Sequence, residues 1–273
     1  FSDETGKGSS VDKVEFAKEP EHQTAKSYNS TLTGDRLKDY EYVMGGVVKD
    51  GVYKFTEDSS INVGGEGAIG AALSTATTIN ASGQKLDINL NDATGYSYGI
   101  SQESDEDSMI TADTLKIKFN GSDSDDTSNE KITAHGIHQT KGNLTINGNV
   151  NIDMNDDGFA ETSGLYSQAG SMDLNGNVAI SGVGNSYSAI YAESGKINVN
   201  VVKEETGKVI GSGNHDVTIA GNIIAVHKPD MESEINLGLA TGNSKLTGII
   251  YNAFEETPVT YSRMAATNTM VTS

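Results

Sequence analysis

A short word recurs along this chain: a small residue followed by Ile or Leu. It stands at Gly99-Ile100, Gly136-Ile137, Gly164-Leu165, Ala189-Ile190 and Gly248-Ile249, with Ala68-Ile69 as a weaker copy. A turn and an alternating apolar run follow it, as in Gly142-Asn143-Leu144-Thr145-Ile146, Gly170-Ser171-Met172-Asp173-Leu174 and Gly195-Lys196-Ile197-Asn198-Val199. Leu144, Met172 and Ile197 each lie seven residues after the apolar member of the word before them. The earlier copy, Ile100 to Leu115, is longer by the acidic insertion 101–108. Repetition at fixed spacing constrains a fold tightly. Each copy must be one unit whose apolar face its neighbours bury.

A third unit reads apolar-x-apolar-x-Gly-Asn-apolar-x-apolar, at 144–152, 172–180 and 217–225. Period-2 alternation means strands, and Gly-Asn between them is a corner, because both residues tolerate positive φ. One repeat therefore holds about three short strands. Short strands with turn signals also fit an antiparallel sandwich. The word's constant place in each cycle, and the confinement of insertions to one place, favour a solenoid. The expected fold is all-β: a right-handed parallel β-helix of roughly nine rungs with an irregular N-terminal segment. Ile137, Leu144, Ile146, Leu165, Met172, Leu174, Ile190, Ile197 and Val199 should share one core.

The domain reading follows. Residues 1–50 are charge-dense and lack clean alternation, so they form an irregular segment or cap, flexible over 1–29 and partly ordered over 35–48. Residues 51–273 form the repeat domain. A second acidic concentration, 101–130, carries nine acids against Lys116 and Lys118 and reads as two solvated loops around a strand at 114–119. The chain opens at Phe1 with no charged-then-apolar leader, as a processed chain or an excised piece does.

Composition excludes several chemistries. The formal charge of −19 opposes nucleic-acid binding. Without Cys there is no disulfide, thiol catalysis or thiolate metal site. No apolar run is long enough for a membrane-spanning helix. Arg36 and Arg263 are the only arginines, one near each end, which excludes a central Arg-bearing groove for cleaving polyanions.

Six features bear on chemistry. Gly95-Tyr96-Ser97-Tyr98-Gly99 matches a nucleophile elbow, but no helical pattern follows it, so Ser97 is expected in a rung turn. His135 and His138 are three apart, and on a strand such residues should point oppositely, which argues against a zinc pair. His22, His215 and His227 lack ligand partners at telling spacing and read as surface residues. A glycosidase needs a carboxylate pair, and Asp153 and Asp173 are candidates that sequence cannot pair. The residues after the repeated apolar position are Ser101, His138, Tyr166 and Tyr191. In stacked rungs His138, Tyr166 and Tyr191 line up outside, either as a binding face for a sugar or protein or as a purely stabilising stack. The one candidate metal site is for calcium, at 153–161. Asp153, Asn155, Asp157 and Glu161 supply side-chain oxygens and Phe159 its carbonyl. Gly164 stands where the bidentate Glu of an EF-hand belongs, and a plain turn accounts for the same residues. No other cofactor is implied.

The run LTINGNVNI at 144–152 and SKLTGII at 244–250 carry a family resemblance. With Gly/Asn/Ser/Thr-rich rungs, acidic charge, no Cys and two Arg, the chain from about residue 51 onward resembles a passenger domain of a Gram-negative autotransporter. The match departs where such passengers usually carry a Trp in the final coils; here Tyr261-Ser262-Arg263-Met264 stands in that place. The resemblance implies secretion through an outer-membrane barrel and display at the bacterial cell surface. The expected function is a non-enzymatic passenger or adhesin segment that contacts a host or bacterial surface protein, matrix or glycan, or a second copy of itself, without inserting in the membrane. The alternative from another class is a secreted β-helix enzyme that cleaves polysaccharides, of glycosidase or tailspike-like kind. A spacer that binds nothing is the third.

Overall fold

The computed structural model describes residues 51–254 except 74, 121–130, 156–158, 184–187, 229–230 and 240–242, together with short strands on either side. The described residues are strands, turns and bends, and no helix is among them. The chain returns to the same place again and again, laying each strand parallel to the one a coil earlier. Three stacks of strands result.

The first stack runs from Gly51–Phe55 through residues 77–80, 108–111 and 143–147 to Ser171–Asn175, Lys196–Val199 and Glu234–Leu237. The second begins at Ser59–Glu66 and ends at Lys245–Thr247. The third begins at Ala68–Leu73 and ends at Ile250–Phe254. Every pairing that links one coil to the next is parallel. That excludes the antiparallel sandwich and agrees with a parallel β-solenoid. Among the described residues, antiparallel pairs join strands close in sequence, as in the hairpin of Val201–Lys203 with Val209–Ser212. Before residue 51, strands Gln23–Ala25, Asn29–Leu32 and Val43–Val48 pair in parallel with the three strands of the next coil. The three-stack pattern thus extends into the segment expected to be irregular. Ala17–Lys18 pairs antiparallel with residues 23–24, and the rest of 1–29 lies outside the described residues.

The core is three columns of mostly β-branched residues, which suit a pleated surface buried on one side. Ile79, Ile110, Ile146, Leu174, Val199 and Leu237 face each other in turn along the first stack. Ile61, Ile88, Ile117, Ile152, Ile180 and Ile219 do so along the second. Ala71, Ile100, Ile137, Leu165, Ile190 and Ile223 form the third. All nine expected core residues are 0% exposed and belong to one cluster.

The third column explains the recurring word. Gly136 lies inward beside Ile137, and a Cβ there would come 2.6 Å from both Ile152 Cγ2 and the Gly164 carbonyl. The second column presses on this position, so it takes a small residue. Two copies of the word were misplaced. Ile69 lies opposite Tyr98 and Ala71 opposite Ile100, so Gly70-Ala71 is the true equivalent rather than Ala68-Ile69. Ile250, not Ile249, pairs with Ile223, and Ile249 is 65% exposed.

The Gly-Asn corners need one correction too. In 144–152 and 172–180 the pair joins the first stack to the second. In 217–225 it joins the second to the third, because Val217 lies opposite Val178 and Ile223 opposite Ile190. The hairpin 201–212 occupies the earlier corner of that coil. The same word serves both corners because both bring backbones close. Gly148 has φ +118°, and a Cβ there would lie 1.7 Å from the Ala112 carbonyl oxygen. Gly148→Ala should therefore cost more than ~2 kcal/mol and lower the melting midpoint by at least ~5 °C. Gly83→Ala is the contrast: φ is +75° but nothing stands within 4 Å, so about 1 kcal/mol is expected. Equal melting of the two variants would show that the coil-to-coil approach is not limiting.

Candidate functional site

The third stack carries an outer column of rings. Tyr98, His135, His138, Tyr166 and Tyr191 come from four successive coils. The register sets Tyr98 opposite His135, and His138, Tyr166 and Tyr191 in one line. The rings are near parallel. Centroids lie 4.2 Å apart for Tyr98–His138, 4.5 Å for His135–Tyr166, 5.3 Å for His138–Tyr166 and 5.5 Å for Tyr166–Tyr191. Offset-stacked rings at such distances attract each other beyond their area burial.

His135 and His138 overturn the expectation that they point oppositely. Their rings stack at 5.3 Å, only 8° from parallel. The reason is local. Gly136 and Ile137 both face the core, so strict alternation is broken between the two histidines. Both therefore emerge on the outer side. Tyr98 and His135 were missed for the same cause, and the repeated Gly-Ile pair was the signal that could have found them.

The stack's electrostatics favour neutral rings. Burial, then the neighbouring His138, holds His135 well below the usual imidazole value, against a raising hydrogen bond from the Ala134 backbone. His135 is 3% exposed, and its Nδ1 has no hydrogen-bond partner. Burial lowers His138 to about 4, against the upward pull of Glu103. Ser101 links the two, 3.4 Å from His138 Nδ1 and donating to Glu103 Oε1 at 3.0 Å. Burial also raises the Tyr166 hydroxyl, helped by its 2.6 Å hydrogen bond to Glu193 Oε2. Because the rings face each other, the outer surface of the column is made of ring edges. Such a stripe can meet a partner edge-on but cannot sandwich a sugar between faces.

Of the calcium candidates, Asp153 and Asn155 stand at a turn. Asp153 Oδ1 accepts the Asn155 backbone N–H at 3.3 Å, and Asn155 has φ +53°. Phe159 turns its ring into the core, edge-on to Phe119 with centroids 6.2 Å apart. Glu161 opens the next strand, where it is exposed. Asp157 lies outside the described residues. No group of three His, Cys, Asp or Glu able to hold a metal occurs among the described residues. Millimolar calcium should raise the melting midpoint if these residues hold the ion, and Asp157→Ala should abolish that rise. An unchanged melting curve would reject the site.

The other candidates separate. Ser97 is fully buried, donating to the Thr94 carbonyl at 2.8 Å and accepting from the Ala68 N–H at 3.2 Å, with no helix after it. Asp153 faces Lys118 and Ser181 on the second stack, whereas Asp173 faces Thr145 and Asn198 on the first. Register does not bring that carboxylate pair together. The acidic insertion 101–108 is tied down at several points: Glu106 accepts the Ala76 N–H at 2.9 Å, Asp107 the Asn143 amide at 2.7 Å, and Asp105 pairs with Lys141 at 3.1 Å.

A second feature has no counterpart in the sequence reading. The hairpin 201–212 folds over the first stack and leaves an open groove of about 400 Å³. Asn200, 2% exposed at φ +51°, pins its base, donating to the His215 carbonyl at 2.6 Å and the Gly238 carbonyl at 2.7 Å. Lys203 reaches from the hairpin to Asp173. Below it, Asn198 donates to Asp173 at 2.7 Å, and Asn236 donates to Asn198 at 2.9 Å and Glu234 at 2.6 Å. Glu234 also pairs with Lys196 at 2.7 Å. Burial pushes its carboxyl up, but hydrogen bonds from Lys196 and Asn236 outweigh that and hold it below the usual range. The Val-Val and Val-Ile pairs flanking Lys-Glu-Glu-Thr-Gly-Lys, at 201–210, were the signal for this hairpin.

Searched against protein-family models, curated proteins and solved structures, the chain has no match.

Proposed function

We propose that this chain is a non-enzymatic passenger or adhesin segment displayed at a bacterial surface: a right-handed β-helix of roughly nine rungs that presents its faces and loops to cells, matrix or glycans. The observation that carries the reading is how its outer polar groups are used. They bond along the stack to the same groups in the next coil. Asn89 donates to Asn62 at 3.0 Å, Asn175 to Asn147 at 3.0 Å and Asn177 to Asn149 at 2.8 Å. The rings stack in the same direction. Side chains committed to neighbouring coils stiffen a long surface, and they are not poised around a reacting atom. Insertions at coil corners supply the variable contacts, as in other repeat proteins. Display through an outer-membrane barrel is part of this proposal and rests on the family resemblance.

Adhesion tests it directly. Beads coated with the chain should attach to cells or matrix above beads coated with an equally acidic control protein. Polysaccharides incubated with the chain should gain no reducing ends. Attachment at the control level would overturn the adhesin reading, and new reducing ends would replace it with the polysaccharide-cleaving enzyme.

A further inference from the structure

Among the described residues, the hairpin groove, the ring column and the calcium turn are the three places where a ligand could act. The rings cover one another's faces, and the turn lacks a second feature pointing to an ion. The groove differs in three respects. It is the one place among the described residues where a separate two-stranded sheet folds back over a strand stack. Its volume falls in the ~300–1,000 Å³ range of small-ligand sites. Its walls also carry donors and acceptors already fixed in position.

We infer that this groove binds a neutral, hydroxyl-rich sugar unit, an inference that rests on the proposed surface-contact role and names a ligand class for it. On the floor, Asn236 is 1% exposed. Its amide donates to Asn198 and Glu234 and so fixes the Glu234 carboxylate at the groove floor. Glu234 stays ionised and accepts, while Lys196 beside it donates. On the roof, Thr206 and the exposed Lys208 flank Gly207, and Val209 supplies an apolar wall. Donors and acceptors fixed in this way orient a polar, hydroxyl-bearing ligand, and Val209 adds a small apolar surface beside them.

Charge argues against an acidic sugar. Lys196 and Lys203 are paired with Glu234 and Asp173. Glu204 and Glu205 stand exposed on the hairpin tip. The chain as a whole carries −19, which repels polyanions.

The test uses the whole chain and an array of oligosaccharides built from hexoses and N-acetylhexosamines, each also present capped by a uronic acid. At least one neutral member should bind, more tightly than its capped partner. Glu234→Gln and Lys208→Ala should each weaken that binding ~10-fold or more, because each removes a charged hydrogen-bond partner. Excision of residues 201–212 should abolish it. The hairpin's ends meet where the Gly213 N–H bonds the Asn200 carbonyl at 2.7 Å, so a two-glycine link can close the coil. Unchanged circular dichroism and melting in both point variants would confirm that folding is intact. The inference is overturned if no neutral member binds at millimolar concentration, if the variants bind as the parent does, or if only capped members bind. Bead adhesion that persists under any of those results would leave the surface-contact role standing without the groove.

Discussion

Leu174→Asp should remove the cooperative melting transition of the central coils, or lower its midpoint by more than ~10 °C. Leu174 is 0% exposed and sits between Ile146 and Val199 in the first column. The substitution loses about 2–3 kcal/mol of apolar burial. It also places a carboxylate where no cation faces it, at a further cost of several kcal/mol. In a stacked array the damage spreads through the interfaces with neighbouring coils. Hydrogen exchange should therefore accelerate first between residues 144 and 199, before the coils nearer residue 51. The neighbouring Asn175 is exposed and bonds Asn147 at 3.0 Å, so Asn175→Asp should cost only about 1 kcal/mol. Similar losses from the two variants would mean that the inward face has been misassigned.

Acidification should destabilise the chain through its two stacked histidines. His138 titrates near 4 in the folded state and near 6.5 when unfolded, and His135 is displaced in the same direction. Below pH 6.5 the unfolded chain therefore binds protons that the folded chain refuses. The stabilisation is fully present above about 6.5 and is lost as pH falls towards 4. For His138 alone the difference corresponds to roughly 3 kcal/mol. His135 adds to it, because burial and then the neighbouring His138 both disfavour an imidazolium there. Glu103, near His138, opposes the effect, and Glu161 and Glu193 lie by Tyr166. Substituting Phe for both histidines keeps flat rings in the column and removes both titrations. Its midpoint should fall much less between pH 7 and pH 4 than the parent's. Parallel curves would assign the acid sensitivity to carboxylates instead.

The core was the most legible part of the sequence. A small residue before the third-column position recurs from coil to coil, because Gly70, Gly99, Gly136 and Gly164 face the second column's Ile side chains. What could not be read was register where a coil departs from the rule. Ala68-Ile69 fits the word but sits two residues early, since Gly70 fills the position against Ile88. A repeat was expected to hold about three short strands, whereas residues 77–102 are one continuous strand that bends through all three stacks without breaking. His138, Tyr166 and Tyr191 could be lined up by counting. Tyr98 and His135 could not, because Gly136 and Ile137 both turn inward and defeat period 2. The hairpin groove was hidden for a different reason. It joins Glu234 and Asn236 to Thr206 and Lys208 across a coil boundary, and only the folded path brings them together.

The direction of the ladders has a mechanical consequence. Bonds that link one coil to the next run along the stacking axis, so a pull on the two ends loads the outermost ladder first. Coils should peel off singly. Asn147 and Asn175, bonded across one step, are 28 residues apart. Each release would then lengthen the tether by roughly 90 Å, at ~3.3–3.6 Å per extended residue. A chain anchored at one end and held at the other would give way in small, separate steps under flow, with the remaining coils still stacked.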